Sequence, residues 1–268
     1  MKRDRFLAEE IMCEIYWEPD KPNDLIALYQ YGFPGSAGCN VLVKYLIEIG
    51  FIVIIPHFPG TFDSGDEFTP VKTVSFYEKI VNTIKQGEVT GLKKNKKIKI
   101  PPQIECVFGH SYGCWSVLRG IEFFKDVKNV YLFAPAITYA EYKYETNCGL
   151  IENGEEHINM VIRTRPYTYR LKNKNAFESL YRGDYDVFFT SNDSVIRIIG
   201  IVGMEDSYFD LLKLRDKFHI IIDSSFENKT DNQLIEIKYG THSLESLLNE
   251  KIKNLILNEK KSLNSQRH

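Results

Sequence analysis

Short apolar runs alternate along the chain with segments in which apolar residues recur at helical spacing. Residues 51–55 are apolar at every position, which is typical of a strand that helices cover on both faces. Residues 41–49 instead carry the apolar stripe of an amphipathic helix. This alternation predicts an α/β fold with a mostly parallel central sheet flanked by helices.

The same two patterns predict elements along the rest of the chain. Strands are predicted at residues 25–29, 51–55, 104–108, 130–133, 196–202, 219–222 and 234–237. Helices are predicted at residues 41–49, from Thr69 to 84, from 112 to about 121, at 207–217 and at 244–256. Parallel strands joined in this way bring their carboxyl ends to one edge of the sheet, where open α/β sheets bind their ligands.

Residues 139–194 interrupt this alternation. They are rich in Tyr, Arg, Glu and Asn and have little periodicity, and the segment is too long for a plain loop in a compact domain. We therefore predict a cap inserted into a core formed by residues 1–138 and 195–268. A cap in this place would lie over the sheet edge and set substrate preference, while the chemistry itself would proceed without it.

Composition and charge narrow the choice of function. The chain has 268 residues, 43% of them hydrophobic and 26% charged, with a net charge of −2, so nothing indicates a nucleic-acid partner. No signal peptide is expected, and no apolar run approaches the about 18 residues of a membrane helix. The five cysteines include no CxxC pair, which argues against a zinc site or a disulfide framework and favours a reducing cytoplasm.

One short motif indicates chemistry. Gly109 and Gly113 flank Ser111 at the spacing Gly-x-Ser-x-Gly, between a predicted strand and a predicted helix. A strand that turns sharply into a helix exposes the side chain at the apex, and the glycines relieve crowding there. Ser111 is therefore a candidate nucleophile at a helix N-terminus, the alternative being a chance match in a loop.

A serine nucleophile needs a base and an acid that orients the base. His242 lies in the loop between the last predicted strand and the last helix, at the carboxyl edge of the sheet. The strand ending at Val202 is followed by Glu205 and Asp206, and we favour Asp206 as the acid. Two alternatives stay open: Glu205 as the acid, and Asp206 as the N-cap of the following helix.

These motifs resemble those of the α/β-hydrolase family. Besides the elbow, the stretches YGFPGS (31–36), PHFPGTFDSG (56–65), GMED (203–206) and GTH (240–242) are similar to family loops, so the resemblance spans residues 31–242. It implies an oxyanion hole formed by the backbone N–H groups of Phe33 and Tyr112. Tyr31 stands where the family often has histidine. No metal or organic cofactor is implied.

The expected activity is hydrolysis of a small-molecule carboxylic ester, thioester or amide through an acyl-enzyme at Ser111. An acyltransferase with the same triad and a non-catalytic binding protein of the same fold are the alternatives. Candidate substrate-binding residues are Tyr31, His110, Arg163, Arg165 and Arg170. The arginines belong to RTRPYTYRLKNK (163–174), which would meet an anionic substrate group or form a solvated surface.

Overall fold

The apolar runs form the interior of one eight-stranded sheet. The computed structural model describes residues 1–22, 24–137, 144–146, 149–151, 154–165, 167–171, 196–225 and 232–265. Its strands in chain order are β1 (Lys2–Ala8), β2 (Ile11–Trp17), β3 (Leu25–Gln30), β4 (Phe51–Pro56), β5 (Glu88–Gly91), β6 (Lys96–Lys99), β7 (Ile104–His110), β8 (Asn129–Phe133), β9 (Tyr144–Thr146), β10 (Gly149–Ile151), β11 (Arg197–Gly203) and β12 (Gln233–Ile237).

The strand order of the large sheet is β1-β2-β4-β3-β7-β8-β11-β12. The strands from β4 to β12 in this order run parallel, whereas β1 and β2 form an antiparallel extension beside β4. The register pairs Gln30 with Gly109 and Gly203 with Ile237, so the loops after β3, β7, β11 and β12 leave from the same edge. The predicted fold class, a mostly parallel sheet flanked by helices, is confirmed.

Helices cover the sheet by burying one apolar stripe each. They are α1 (Val41–Glu48), α2 (Lys72–Ile84), α3 (Tyr112–Arg119), α4 (Gly154–Thr164), α5 (Leu211–Ser225), α6 (Leu244–Leu247) and α7 (Glu250–Ser265), with a 3-10 turn at Ile121–Phe123. In α1, Asn40 caps the start by accepting the N–H of Val43 at 3.0 Å, and Leu42 and Leu46 are buried. Each such leucine contributes about 1.5–3 kcal/mol by leaving water.

The β1–β2 hairpin was not predicted from the sequence, because a charged residue lies on its buried face. Glu14 on β2 is 4% exposed and accepts hydrogen bonds from Tyr16 and, at 2.8 Å, from Arg3 on β1. A buried carboxylate needs such donors. Glu14 interrupts the apolar residues of β2, so the sequence pattern does not show this strand.

The predicted helix at 207–217 is confirmed from Leu211 onward, but the predicted strand at 219–222 is wrong, because one helix, α5, covers Leu211–Ser225. Leu214 and Phe218 are buried at helical spacing, while Ile220 is 59% exposed. Asp210 caps α5 by accepting the N–H groups of Leu212 at 3.0 Å and Lys213 at 3.3 Å. The N-cap is therefore Asp210, and the alternative that placed Asp206 there is wrong.

The last predicted helix, at 244–256, is divided in two. α6 ends at Leu247, and Asn249 starts the next helix by accepting the N–H of Ile252 at 3.1 Å. The apolar stripe continues across the break, which explains why the pattern alone shows one helix. Similarly, α2 begins at Lys72 rather than at Thr69, whose hydroxyl accepts the N–H of Lys72 at 3.3 Å.

The segment 139–194, predicted to be a cap, is described in part. β9 and β10 pair antiparallel, α4 follows, and residues 167–171 run beside the loop after β4. Tyr169 forms an isolated antiparallel bridge with Thr61 in that loop. The remaining residues of the segment lie outside the described residues, so the cap and its boundaries stay a prediction.

Candidate active site

Ser111 lies at the turn between β7 and α3 with φ 53° and ψ −122°. A positive φ is uncommon for a residue other than glycine and marks local strain. A Cβ on Gly109 would lie 2.8 Å from the Cα of Cys114, and one on Gly113 would lie 2.2 Å from the carbonyl oxygen of Gln30. A side chain at either position would therefore collide with backbone, which accounts for both glycines of the motif.

His242 and Asp206 form a direct hydrogen bond. His242 Nδ1–H donates to Asp206 Oδ2 at 2.8 Å, and Asp206 Oδ1 accepts the N–H of Tyr208 at 2.9 Å. A carboxylate at Nδ1 holds the tautomer in which Nε2 carries no proton and can accept one. The side chains are 18% and 8% exposed, so the pair is partly shielded from water.

Two glycines bring the loops of this pair together. A Cβ on Gly203 would lie 2.2 Å from the carbonyl oxygen of Gly240, and that carbonyl accepts the N–H of Glu205 at 2.9 Å. Since no side chain separates the two loops here, the ends of β11 and β12 approach closely enough for Asp206 to reach His242. Glu205 is exposed, so the carboxylate against the histidine is Asp206.

The rings of Tyr208, Phe209 and His110 lie against His242. The Tyr208 ring stacks on the imidazole with 4.3 Å between centroids, and His110 Nε2–H donates to the His242 carbonyl at 2.9 Å. Burial, together with the neighbouring His242, lowers the pKa of His110 to about 4. His110 is therefore a neutral donor at neutral pH, and it ties the elbow to the loop after β12.

The loop after β3 passes against the serine. A Cβ on Gly32 would lie 2.8 Å from the Cβ and 3.4 Å from the Oγ of Ser111, so the chain approaches this closely only without a side chain. Phe33 follows directly and is 5% exposed, while Tyr112 is the first residue of α3. The two backbone segments that the resemblance assigned to an oxyanion hole thus flank Ser111.

A cavity of about 560 Å³ opens at this edge of the sheet. Ser111, His242 and Tyr208 line it, together with Met160 of α4 and Arg165 at the end of α4. The volume lies in the range of small-molecule sites, and apolar and polar groups both contribute to the wall.

The candidate substrate-binding residues fall into two groups. Tyr31, His110 and Arg165 line the cavity. Arg163 instead donates from Nε to a carbonyl of its own helix at 3.2 Å, and Arg170 donates from Nη1 to the Phe62 carbonyl at 2.8 Å. Of the three arginines, Arg165 is thus the one that the structure places at the cavity.

Sequence reasoning missed several contacts of this site. The stacking of Tyr208 on His242 and the close approach of Gly203 to Gly240 depend on two loops that are distant in sequence. No local pattern signals either contact. For His110, its position directly before the elbow serine was a signal, but only the fold shows which carbonyl it reaches.

Within the described parts of the chain, no helix has the length and apolar character needed to cross a membrane. The same residues include no group of three or more His, Cys, Asp or Glu side chains arranged to hold a metal ion.

Comparison with known proteins gives matches by structure only. No family model matches the chain, and neither does any curated protein.

Solved structures match over nearly the whole chain. An esterase from Pyrococcus furiosus shares 14% identity at a TM-score of 0.60, covering 97% of this chain and 92% of that one. A monoacylglycerol lipase from Paleococcus ferrophilus shares 15% identity at a TM-score of 0.59, covering 93% and 97%. The mouse alpha/beta hydrolase domain-containing protein 10 shares 14% identity at a TM-score of 0.56, with both chains covered in full. The chain therefore has the α/β-hydrolase fold.

Proposed function

We propose that the protein is a serine hydrolase that cleaves a small-molecule carboxylic ester through an acyl-enzyme at Ser111. The observation that carries this proposal is the 2.8 Å hydrogen bond from His242 to Asp206 beside a cavity that Ser111 also lines. The structural neighbours include esterases and a monoacylglycerol lipase, which supports an ester substrate. Thioesters and amides would follow the same chemistry.

In the first step, Ser111 Oγ attacks the ester carbonyl carbon while His242 Nε2 takes the hydroxyl proton. The π electrons of the carbonyl move to its oxygen, and Asp206 stabilises the imidazolium. The N–H groups of Phe33 and Tyr112 would hold the resulting oxyanion. Loss of one such donor typically costs about 2.7–4 kcal/mol of transition-state stabilisation.

The oxyanion then re-forms the carbonyl, the bond from carbon to the alcohol oxygen breaks, and His242 returns the proton to the leaving alcohol. Water then attacks the acyl-enzyme, His242 takes the proton of this water, and Ser111 leaves with that proton. The products are the alcohol and the carboxylic acid. The partly buried position of Asp206 supports this cycle, because a shielded carboxylate stabilises the imidazolium more strongly than an exposed one.

Labelling with a fluorophosphonate probe tests the proposal. The wild-type protein should be labelled, and Ser111→Ala should not be, because the probe phosphorylates an activated serine. Ser116 is also buried on α3 but its hydroxyl donates to the Thr73 carbonyl, so Ser116→Ala is the matched control and should keep the label. A label that survives in Ser111→Ala would contradict the assignment.

We also propose a cytoplasmic location. Cys13, Cys106 and Cys114 are free, buried thiols in the described residues, as in proteins of a reducing compartment. Fractionation of the native cells measures this directly, and recovery in an extracellular or membrane fraction would contradict it.

A further inference from the structure

Tyr169 joins the segment between β8 and β11 to the loop after β3. Its hydroxyl donates to the carbonyl of Gly35 at 3.0 Å and accepts the N–H of the same residue at 3.0 Å. Both backbone polar groups of one residue are therefore held by a single side chain. Tyr169 is 2% exposed, so these hydrogen bonds are shielded from water.

The ring of Tyr169 also packs against the loop. Its centroid lies 4.9 Å from that of Phe33 in an edge-on arrangement and 5.2 Å from that of Phe68. Such aromatic pairs each contribute about 0.5–1.5 kcal/mol beyond the area they bury. Phe33, whose N–H is assigned to the oxyanion hole, is thus held by the same residue that holds Gly35.

Backbone hydrogen bonds fix the position of Tyr169. Phe62 N–H donates to the Thr168 carbonyl at 3.1 Å. Arg170 N–H donates to the Gly60 carbonyl at 2.7 Å, and the Arg170 carbonyl accepts the N–H of Phe68 at 2.9 Å. The residues on both sides of Tyr169 are therefore hydrogen-bonded to the loop after β4, and these bonds hold the backbone of Tyr169 in place.

We propose that Tyr169 is a positioning residue for the oxyanion hole of the hydrolase, an inference that rests on the proposed function. The loop folds back so tightly that a Cβ on Gly35 would lie 2.4 Å from the Gly32 carbonyl oxygen. Because Gly32 lies against Ser111, holding Gly35 fixes the direction in which the intervening Phe33 N–H points. An oxyanion donor is effective only when its direction is set before the reaction.

The protonation state of Tyr169 fits this role. Burial raises its pKa to about 12, against the opposing effect of hydrogen bonds to Gly35 and Arg165. The hydroxyl therefore keeps its proton over the neutral range and can donate and accept at once. This leads to an expectation opposite to that from the sequence: the segment 139–194 is needed for the chemistry, even toward a small activated ester.

The test compares Tyr169→Phe with Tyr167→Phe, using a p-nitrophenyl ester and a trifluoromethyl ketone inhibitor. Each variant loses one hydroxyl on the same segment, but Tyr167 is 96% exposed. Ser111 Oγ adds to the ketone carbon and His242 takes its proton, which leaves an alkoxide oxygen in the oxyanion hole. For Tyr169→Phe we expect kcat to fall about 10- to 100-fold and the inhibition constant to rise in parallel, with KM nearly unchanged.

Tyr167→Phe should match the wild type in all three quantities. An unchanged kcat and inhibition constant in Tyr169→Phe would overturn the proposal, and so would a rise of KM equal to the rise of the inhibition constant, because a loosened pocket weakens both equally. Thermal unfolding of each variant shows that it is folded. If the wild type itself failed to react with the ester and the fluorophosphonate, the proposed function would be wrong. That outcome is distinct from a failure of the Tyr169 proposal, which requires an active wild type.

Discussion

His242 with Asp206 and His57 with Glu14 are two histidine–carboxylate pairs near the same edge of the sheet, and they differ in what surrounds them. In the first pair, Nδ1 and Oδ2 are 2.8 Å apart and the ring borders the cavity. In the second, His57 Nε2 lies 3.7 Å from Glu14 Oε1, beyond hydrogen-bonding distance, and both side chains are nearly fully buried. Both pairs thus place a histidine close to a carboxylate.

Both oxygens of the Glu14 carboxylate already accept hydrogen bonds from other side chains. Burial raises its pKa, but the neighbouring His57, Tyr16 and Arg3 more than offset this effect and lower the pKa to about 2. Tyr16 and Arg3 donate to its two oxygens. Asp206, by comparison, accepts one backbone N–H and leaves its other oxygen to His242.

This difference shows which features distinguish a histidine–carboxylate pair of a candidate active site from a structural one. The His242 pair has a strained serine at the same cavity, and its carboxylate points at the imidazole. The Glu14 cluster holds the β1–β2 hairpin to the sheet, and the serine beside it, Ser64, donates to the backbone carbonyl of His57 at 3.2 Å rather than to the ring. We therefore expect changes in the first pair to act on rate and changes in the second to act on stability.

The largest effect is expected for Asp206→Asn. An amide in this place would favour the wrong tautomer of His242, and we expect kcat to fall about 10⁴-fold. Measured kcat with a p-nitrophenyl ester checks this. Glu205→Gln is the matched control, because Glu205 is adjacent but exposed, and its kcat should stay within about threefold of the wild type. A larger loss in Glu205→Gln than in Asp206→Asn would reverse our assignment of the acid.

The elbow, the alternation of strands and helices, and the loops that carry Ser111, Asp206 and His242 could be predicted because each depends on local sequence. Gly-x-Ser-x-Gly encodes its own turn, and apolar runs encode buried strands. The β1–β2 hairpin could not be predicted, because the burial of Glu14 depends on hydrogen-bond partners that only the pairing of β1 with β2 brings to it. The role proposed for Tyr169 could not either, because its contacts with Gly35 join positions far apart in the chain.

The second prediction concerns Glu14 and stability. The pKa is lowered in the folded state from 4.5 to about 2, so the folded form binds the proton more weakly than the unfolded form. The resulting stabilisation is fully present above about pH 4.5 and is lost as the pH falls through about 2. Glu14→Gln should therefore lower the free energy of unfolding by about 3 kcal/mol at pH 7.

Urea unfolding between pH 7 and pH 2 measures this difference. The gap between wild type and Glu14→Gln should narrow steadily below pH 4.5, while kcat at pH 7 changes little in the folded variant. Glu250→Gln is the control, because the Glu250 side chain is 81% exposed in its pair with Lys253 and should change stability by less than about 0.5 kcal/mol. A gap that stayed constant with pH would show that the charge of Glu14 is not the source of the stabilisation.

The two regions also differ in their arginines, and this difference gives the smallest expected effect. Arg3 donates to Glu14, so its charge is matched within the protein, whereas Arg165 lines the cavity that Ser111 and His242 share. A guanidinium at the wall of a site suits a carboxylate or phosphate on the substrate. We propose that Arg165 favours esters with an anionic acyl group.

Mono-p-nitrophenyl glutarate and p-nitrophenyl hexanoate differ mainly in the terminal carboxylate. The preference is measured as the kcat/KM for the glutarate divided by the kcat/KM for the hexanoate. Arg165→Gln should lower the ratio about five- to tenfold, because an ion pair at a partly exposed position is worth little more than about 1 kcal/mol. The loss should shrink at high salt. Arg163→Gln is the matched control, since Arg163 donates to its own helix, and Glu245→Gln should shift the ratio the other way because Glu245 also lines the cavity. If Arg165→Gln and Arg163→Gln changed the ratio equally, the effect would reflect the net charge of the protein rather than a contact in the cavity.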